Sequence, residues 1–380
     1  MRRLNNHAGD IVFKPYNPFS QFDDVKEIWT SLLEKCPHSY YLAWPWTELW
    51  LKSLPDDCSV SLVAGFINES PVVAFFVGAQ TTTRHGLFKF RKLSLNQTLI
   101  PNIDIIWIEY NGILIDPEIT ITLGSLLENL PIKSWDEFSI LRCSPVFQPN
   151  LIIDDDLDKK YHVEIRTCES FYVDLDKIRS NNDDYFSLLS PNRRQQIRRS
   201  IKEYEKFGEI EIVIAENADE ALELFDELTE IHQKTWTEEG HPGALSDAYI
   251  IDFHKNLISR RFQHGEIQLI KVSAGDHVLG CIYNLIYKGK VYFYICGFNY
   301  LPGNLYRSGL VCHSFAIMHN ARLGLNSYDF LEGSDTYRKS LSTDHNDMDT
   351  ITIKKGGIKY TIATAIEVLW SSRKHQSSDT

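Results

Sequence analysis

The clearest pattern of apolar and polar positions lies in the second half of the chain. The segment SPNRRQQIRRSIKEYEKFG, residues 190–208, has Ser190 at a helix N-cap position and Pro191 at the first helical position. Its apolar residues then recur three or four positions apart, and a glycine follows the last of them. These features predict an amphipathic helix.

A strand and two more helices are predicted after it. Strict alternation in EIEIVIAE (209–216) predicts the strand. NADEALELFDELTEIHQKTW (217–236) opens with Asn217 and Glu220 at capping-box spacing and carries an apolar stripe, which predicts a helix. DAYIIDFHKNLISRRFQHG (247–265) is predicted to be another helix that ends at a glycine.

Three β-type runs follow, separated only by the short turns AGD and KG. They are EIQLIKVS (266–273), HVLGCIYNLIY (277–287) and KVYFYICGFN (290–299). Such short connections predict an antiparallel meander. After it we predict a helix at about 308–323, a strand at SYDFL (327–331) and a last strand at MDTITIK (348–354).

The first half has an early strand and helices, then the paired strands VSLVAGFI (60–67) and PVVAFFVGA (71–79). The polar, acidic segment QPNLIIDDDLDKKYH (148–162) separates the two halves. A chain of 380 residues exceeds what one hydrophobic core usually covers. We therefore expect two domains, residues 1–155 and 156–380, and a disordered end at SSRKHQSSDT (371–380).

Composition places the chain among ordinary soluble proteins, with 43% apolar and 24% charged residues. The opening MRRLNNHAGDIVFKPYNPF has no apolar core of a signal peptide. No run approaches the roughly 18 apolar residues of a spanning helix. The expectation is a cytoplasmic protein with no membrane span.

Charge and cysteine spacing limit the possible partners. The net charge of −12 argues against non-specific nucleic-acid binding by the whole surface, although a local basic patch stays possible. The seven cysteines form neither a CxxC pair nor a Cys/His cluster, so no zinc site or disulfide framework is indicated. We expect no metal and no DNA partner.

The order of elements and the block SGLVCHSFAIMHNARLGLNSYDFLEGSDTYRKSL (308–341) resemble the GNAT acyltransferase fold in its FemAB-like branch. In that branch a small residue or glycine, a helix, a glycine-ended turn, DF-x-x-G and Tyr-Lys recur in this order. The first half is similar too: SYYLAWPWTELWLKSL (39–54) resembles the early aromatic helix, and FRKLSL (90–95) and IDIIWIEYNGILIDP (103–117) resemble the middle strands. The resemblance covers about residues 10–370.

The resemblance implies an α/β (α+β) fold of tandem GNAT-like domains, each a mixed, mostly antiparallel sheet flanked by helices. The first domain is the degenerate copy and the second the complete one. The cellulose- and exopolysaccharide-associated acetyltransferase type is the more similar one. This implies transfer of an acyl group, expected to be acetyl, from coenzyme A to an amine or hydroxyl of a sugar nucleotide or envelope-glycan precursor. Acetyl-CoA or another acyl-CoA would be the co-substrate.

The turn GNLYRSG (303–309) is the candidate donor site. Backbone N–H groups at a helix N-terminus hold phosphates, and a residue without Cβ lets the ligand approach. Gly303 and Gly309 would allow this approach, Ser308 would cap the helix, and Arg307 would supply a counter-charge. The alternative is a plain strand-to-helix turn. Arg307 stands two residues before Gly309 rather than three, so a different activated acyl donor also stays open.

The acids at the end of the strand YDFLEG are candidates for proton transfer. Alternation places Asp329 and Leu331 on one face and Phe330 and Glu332 on the other. We expect Glu332 to be the acid near the acceptor, acting as base directly or through a water. Asp329 would orient backbone or basic groups, or form a plain ion pair.

Tyr337 follows the strand. The resemblance implies that a tyrosine here donates a proton to the departing thiolate, a role that suits a phenol because its pKa near 10 keeps it protonated. The alternative is a half-buried tyrosine bonded to backbone. Arg338 and Leu341 stand where the branch has Lys and Trp. An arginine excludes proton transfer at that position but permits anion binding.

Three features are candidates for the acceptor side. His232 and Trp236 share a helix face and could line a cleft, or be structural. The three tryptophans of WPWTELW could stack on sugar rings or fill a core corner. The basic stripe of Arg194, Arg198 and Lys202 could attract an anionic substrate, or be a solvated face.

Two rival functions remain open at this stage. One is an aminoacyl-tRNA-dependent transferase acting on a peptidoglycan precursor, for which the basic stripe would be the tRNA-binding candidate. The other is a catalytically weak binding or scaffold protein with the same fold. Arg338, Leu341 and the glycine-poor donor turn favour the scaffold somewhat.

Overall fold

The computed structural model describes residues 11–84, 86–106, 108–333, 336–357 and 360. The predicted disordered end at 371–380 lies outside these residues. In the first half the strands are β1 (Val12–Tyr16), β2 (Val60–Ile67), β3 (Ser70–Arg84), β4 (Phe88–Leu95), β5 (Leu114–Ile115), β6 (Ile121–Thr122), β7 (Glu137–Cys143) and β8 (Leu151–Ile152). The helices are α1 (Phe22–Leu33), α2 (Trp44–Ser53), α3 (Pro101–Asp104), α4 (Leu123–Glu128) and α5 (Leu157–Lys160).

The second half begins with a long strand. Its strands are β9 (Tyr161–Asp174), β10 (Ile210–Ile214), β11 (Ile267–Ala274), β12 (His277–Tyr287), β13 (Lys290–Phe298), β14 (Ser327–Glu332) and β15 (Asp344–Lys355). Its helices are α6 (Leu175–Ser180), α7 (Tyr185–Leu188), α8 (Pro191–Tyr204), α9 (Ala218–Glu238), α10 (Ala248–Arg261), α11 (Ser308–Arg322) and α12 (Thr336–Leu341).

One mixed sheet runs through both halves in the order β1-β2-β3-β4-β7-β15-β9-β14-β13-β12-β11-β10, with β5 paired to β3. Two of its neighbouring pairs, β4/β7 and β13/β14, are parallel, and the rest of this path is antiparallel. Helices flank the sheet. The predicted class, an α/β fold with mixed, mostly antiparallel sheets, is confirmed.

The two halves repeat one order of elements. A first strand, two helices and an antiparallel meander are followed by a strand parallel to the meander's last strand: β1, α1, α2, β2–β4 and β7, then β10, α9, α10, β11–β13 and β14. Each parallel pair is short. Strands β13 and β14 pair over only three positions, from Lys290 with Ser327 to Tyr292 with Asp329. Beyond them, in the described residues, the two strands diverge and the sheet opens.

The central strands join the two halves. β15 pairs along its whole length with β9, from Asp344 with Tyr172 to Lys355 with Tyr161, and its other edge pairs with β7. β9 in turn pairs with β14. The last strand of the second half therefore lies beside the first half, and backbone hydrogen bonds cross the middle of the molecule.

Buried aromatic residues also pack between the halves. Trp46 on α2 is 1% exposed, and its ring centroid lies 5.0 Å from that of Phe253 on α10. Tyr41 similarly meets Tyr292 on β13. Trp50 is buried against Phe76. Trp46 and Trp50 of WPWTELW are therefore core residues, and Trp46 packs between the halves, whereas Trp44 is partly buried.

Most of the predicted elements of the second half are confirmed. The Ser190 hydroxyl accepts a hydrogen bond from Arg193 N–H at the start of α8, and the Asn217 side chain accepts one from Glu220 N–H at the start of α9. The meander is antiparallel as predicted. The predicted strand at 103–117 is wrong, because only Leu114–Ile115 is strand there and the segment before it is a short helix and a loop.

Candidate functional site

A cavity of about 1530 Å³ opens where β13 and β14 diverge. The second half contributes walls from β9, β13, β14, α9 and α12, and from the first turn of α11. The first half contributes Tyr41, Ile105, Glu109 and Arg142. The cavity therefore lies between the two halves and has residues of both on its surface.

The first turn of α11 forms one end of the cavity. Arg307 occupies the N-cap position with no side-chain cap, and Ser308 is the first helical residue and fully buried. The prediction that Ser308 caps the helix is therefore wrong. The first N–H groups of a helix have no acceptor within it. Gly309 and Leu310 carry such groups and line the cavity, as does Arg307.

Tyr337 packs directly on this turn. A Cβ built on Gly309 would lie 2.7 Å from the Tyr337 hydroxyl oxygen and 3.0 Å from the Phe298 ring, so the glycine permits this close approach. The Tyr337 hydroxyl is buried and has no hydrogen-bond partner among the described residues. Burial raises the pKa of Tyr337 well above its usual value. The phenol thus stays protonated and faces the cavity.

Two arginines stand near Tyr337. Burial, and then the charge of Arg307, lower the pKa of Arg193, which also faces the Tyr337 phenol. Arg193 was missed in the sequence. The helical period could have identified it, because it lies four residues before the buried Ile197 on the face of α8 that packs on α11.

The predicted basic stripe and Gly303 lie elsewhere. Arg198 and Lys202 are exposed, and neither they nor Arg194 line the cavity. Gly303 has a φ of +101° in an open turn, where a Cβ would meet nothing within 4 Å. It does not line the cavity either.

The two predicted acids occupy different environments. Glu332 lines the cavity, and its Oε2 accepts a hydrogen bond from Arg142 Nε of the first half. Asp329 is 3% exposed and is not part of the cavity wall. Its carboxylate accepts hydrogen bonds from the hydroxyls of Tyr110 and Ser170 and from Leu331 N–H. Burial raises the pKa of Asp329.

A bulge changes the direction of side chains at the end of β14. Leu331 has a φ of +62°, and the pairing of β14 with β9 shifts between Asp329 and Glu332. Phe330, Leu331 and Glu332 consequently all line the cavity. Simple alternation was therefore wrong at this strand end, because a bulge inserts a residue and turns the following side chains.

Glu109 is a cavity residue that the sequence did not single out. It lies in the loop before β5, is 6% exposed, and its Oε2 accepts a hydrogen bond of 2.8 Å from Glu332 N–H. Burial raises the pKa of Glu109 to about 7. An isolated acid inside the apolar run IDIIWIEYNGILIDP was the available signal.

His232 and Trp236 both line the cavity, with ring centroids 5.8 Å apart. His232 Nδ1 lies 2.9 Å from the carbonyl oxygen of Cys296 and must carry the proton there, because a carbonyl only accepts. His232 Nε2 is then unprotonated, and no described residue bonds to it. Burial lowers the pKa of His232.

Arg338 holds the end of β14. Its Nη1 donates to the carbonyl oxygens of Phe330, at 3.0 Å, and Glu332. Its guanidinium lies over the Phe293 ring and lines the cavity.

In the described part of the chain, no group of three or more His, Cys, Asp or Glu residues is arranged to hold a metal ion. None of the described helices is long and apolar enough to cross a bilayer.

Comparisons with known proteins gave one family match and several similar structures. No curated protein sequence matches the chain. Among solved structures, FemX superposes with a TM-score of 0.51 and 11% identity, covering 85% of this chain and 95% of FemX. This likeness establishes a shared fold. A tandem GNAT protein from the clavulanic acid biosynthesis pathway gives a TM-score of 0.44 at 10% identity, covering 91% of this chain and 99% of that one.

A third solved structure is the C-terminal domain of a lysylphosphatidylglycerol synthetase, named as putative, from Agrobacterium fabrum. It gives a TM-score of 0.46 at 9% identity, over 90% of this chain and 95% of that one. The family model described as an acetyltransferase (GNAT) domain matches residues 191–339. The match includes α9, β13, the first turn of α11, β14 and Tyr337, all of which contribute to the wall of the cavity. Residues 191–339 are thus similar to a GNAT acetyltransferase domain.

Proposed function

We propose that this protein transfers an acyl group from coenzyme A to an amine or hydroxyl acceptor in the cavity between its halves. One observation carries the proposal: the Tyr337 hydroxyl, which has no hydrogen-bond partner among the described residues, lies against the first turn of α11, inside a cavity opened by the divergence of β13 and β14. A buried hydroxyl without a partner costs about 1–3 kcal/mol, which a ligand that accepts its hydrogen bond would recover.

The donor end of the cavity has the groups that an acyl-CoA needs. The first N–H groups of α11 and the charge of Arg307 would hold its pyrophosphate, with Arg193 beside them. Gly309 keeps Tyr337 close to this turn. Acyl-CoA would supply the acyl group as a thioester. Tyr337 would donate its proton to the sulfur that leaves.

The acceptor would occupy the opposite part of the cavity. His232, Trp236 and Arg338 line it, and Glu332 is held there by Arg142. Asp329, which lies behind this wall, would keep the strand end in place. We propose a sugar nucleotide or an envelope-glycan precursor as acceptor, in line with the sequence resemblance. We also propose that residues 1–155 are a degenerate GNAT-like unit and 156–380 the complete one, which the repeated order of elements supports.

Donor binding is the first test. Isothermal titration calorimetry would be carried out with acetyl-CoA, longer acyl-CoAs and an aminoacyl-tRNA. We expect a coenzyme A thioester to bind and the aminoacyl-tRNA not to bind. Thiol release would then be followed against amino sugars, nucleotide sugars and glycan precursors. Binding of aminoacyl-tRNA but of no acyl-CoA would transfer the proposal to the tRNA-dependent reaction. Binding of neither would leave a scaffold protein.

A further inference from the structure

We propose that Glu109, from the first half of the molecule, takes the proton from the acceptor, so that one active site is completed by both halves. This inference rests on the proposed acyl transfer and adds a catalytic residue to it. Nothing in the sequence pattern assigned this role to Glu109. The match to the acetyltransferase domain, at 191–339, does not include it.

The loop that carries Glu109 is fastened to the second half at two consecutive residues. Glu109 Oε2 accepts the N–H of Glu332, and the hydroxyl of Tyr110 donates to the carboxylate of Asp329. The Tyr110 hydroxyl oxygen also lies 2.8 Å from the hydroxyl oxygen of Ser170 on β9, which itself donates to Asp329. The backbone of Tyr110 has a φ of +49°, a conformation that non-glycine residues rarely adopt. The loop is thus held in an unfavourable conformation that presents Glu109 to the cavity.

The bulge on β14 makes this arrangement possible. Asp329 Oδ1 accepts the Leu331 N–H at 2.8 Å, which supports the left-handed conformation of Leu331. After this bulge the N–H of Glu332 donates to Glu109. Asp329 is then a positioning residue, which explains why an acid is buried there away from the cavity wall.

Glu332 and His232 are less suited to accept the proton. Arg142 binds the Glu332 carboxylate, so protonation of Glu332 would break an ion pair. Burial lowers the pKa of His232, which weakens it as a base. Glu109, in contrast, has one carboxylate oxygen bound to Glu332 N–H, and no described residue donates a hydrogen bond to the other.

The charges around Glu109 set its pKa. Burial is the largest cause of the increase to about 7, and the carboxylates of Glu332 and Asp329 add to it. The Glu332 N–H and the Arg142 charge act in the opposite direction. The other titratable groups that face it are Tyr41, Tyr294 and Cys168. A base with a pKa near 7 is well matched to proton transfer at neutral pH.

The proton balance of the reaction is complete with these residues. The acceptor nitrogen or oxygen gives its proton to Glu109 and forms a bond to the thioester carbonyl carbon. The C–S bond breaks, and its electron pair stays on sulfur, which receives the Tyr337 proton. Solvent then removes the proton from Glu109 and returns one to Tyr337. The products are the acylated acceptor and the free thiol, with no oxidant or metal required.

The test compares Glu109→Gln with Glu332→Gln in the full-length protein. Glu109→Gln should lower kcat by about 10²- to 10⁴-fold and abolish the rise of the rate through pH 7, while acetyl-CoA affinity stays unchanged. Glu332→Gln should lower kcat less than Glu109→Gln does, and its rate should still rise through pH 7. Glu211→Gln is the charge-matched control, because Glu211 is exposed on β10, at the end of the sheet, and does not line the cavity. Full activity of Glu109→Gln, or an unchanged pH profile, would overturn the inference.

A second measurement does not depend on turnover. The folded-state pKa of Glu109 is raised, so its contribution to stability is complete below about pH 4.5 and is lost as the pH rises through about 7. Glu109→Gln should therefore have a higher melting temperature than wild type at pH 8 but not at pH 4.5. If Glu109→Gln fails to fold, Glu109→Asp replaces it in the test. This variant keeps the carboxyl and should retain the pH-dependent rate at a lower kcat.

The two proposals fail in different ways. If acetyl-CoA binds and thiol is released, but Glu109→Gln behaves as wild type, the Glu109 role is wrong and the acyl transfer stands. If no acyl-CoA binds, the acyl transfer is wrong and the Glu109 role falls with it. In that case the melting curves still decide whether Glu109 titrates near pH 7, which separates a misassigned reaction from a misassigned residue.

Discussion

The hydroxyl of Tyr337 and the carboxylate of Glu109 are the two residue-scale features on which the proposed chemistry depends. The hydroxyl has no partner among the described residues, and the carboxylate is buried with a raised pKa. Groups of this kind reduce stability and persist where they serve a function. The phenol is protonated at neutral pH and can donate a proton, whereas a carboxyl with a pKa of about 7 is partly ionised there and can accept one.

Tyr337→Phe should lower turnover and leave the fold intact. The ring and its packing remain, and the lost hydroxyl made no hydrogen bond to any described residue, so the melting temperature should not fall. Loss of general acid catalysis corresponds to about 10²- to 10⁴-fold in kcat, or roughly 3–5 kcal/mol of barrier. Thiol release and acetyl-CoA titration would measure both effects.

Tyr185→Phe is the matched control for that variant. The buried Tyr185 hydroxyl donates to the carbonyl oxygen of Leu341 at 2.6 Å. Its removal should lower the free energy of unfolding by about 1 kcal/mol and leave turnover unchanged. Wild-type turnover in Tyr337→Phe would contradict the assigned role of the phenol.

At the scale of elements, the sequence predicted what local periodicity determines. Helices α8, α9 and α10 and strands β11–β13 each have their own caps, stripes or turns, and all are confirmed. The loop of Glu109 was expected to be a strand because it resembles the family's middle strands, and a short apolar run has no periodicity that could have corrected this expectation. The bulge at Leu331 was missed because it depends on the buried Asp329 and on pairing with β9.

The residues of the candidate site show the same difference between what local sequence indicates and what depends on long-range packing. Tyr337, Glu332, His232 and Trp236 line the cavity; the family resemblance singled out Tyr337, and local patterns singled out the other three. Arg193 and Glu109 were not singled out from the sequence. The position of Arg193 depends on how α8 packs on α11, and that of Glu109 depends on how the two halves meet. The roles of all these residues remain predictions.

The first turn of α11 allows an element-scale test. In Gly309→Ala the added Cβ would meet the Tyr337 hydroxyl and the Phe298 ring, so the phenol must move. We expect weaker acetyl-CoA binding, lower kcat and a loss of about 1–3 kcal/mol of stability from overpacking. Gly356→Ala is the control, because a Cβ there meets nothing within 4 Å. Equal behaviour of the two variants in calorimetry and thiol release would show that the close approach of Tyr337 is unimportant.

At the scale of the whole molecule, one continuous sheet runs through both halves, although each half repeats the same order of strands and helices. β15 connects β7 to β9, and the hydrophobic cluster that includes Trp46 and Phe253 contains side chains from both halves. A cavity whose walls come from both halves needs this rigidity. A shift of either half would change the distance between Glu109 and Tyr337, and misplacement by even 1 Å can greatly reduce the rate.

This construction predicts a single unfolding transition. Trp46→Ala in the first half should lower the free energy of unfolding by about 3–5 kcal/mol, and Ile317→Ala on α11 by about 2–5 kcal/mol, because both side chains are fully buried. Since the sheet is continuous, each variant should shift the same midpoint in tryptophan fluorescence and in far-UV circular dichroism. Trp46 and Ile317 belong to different hydrophobic clusters, so the pair probes both sides of the sheet. Two separate transitions, with only one shifted by each variant, would instead mean that the halves unfold independently and that the cavity can open between them.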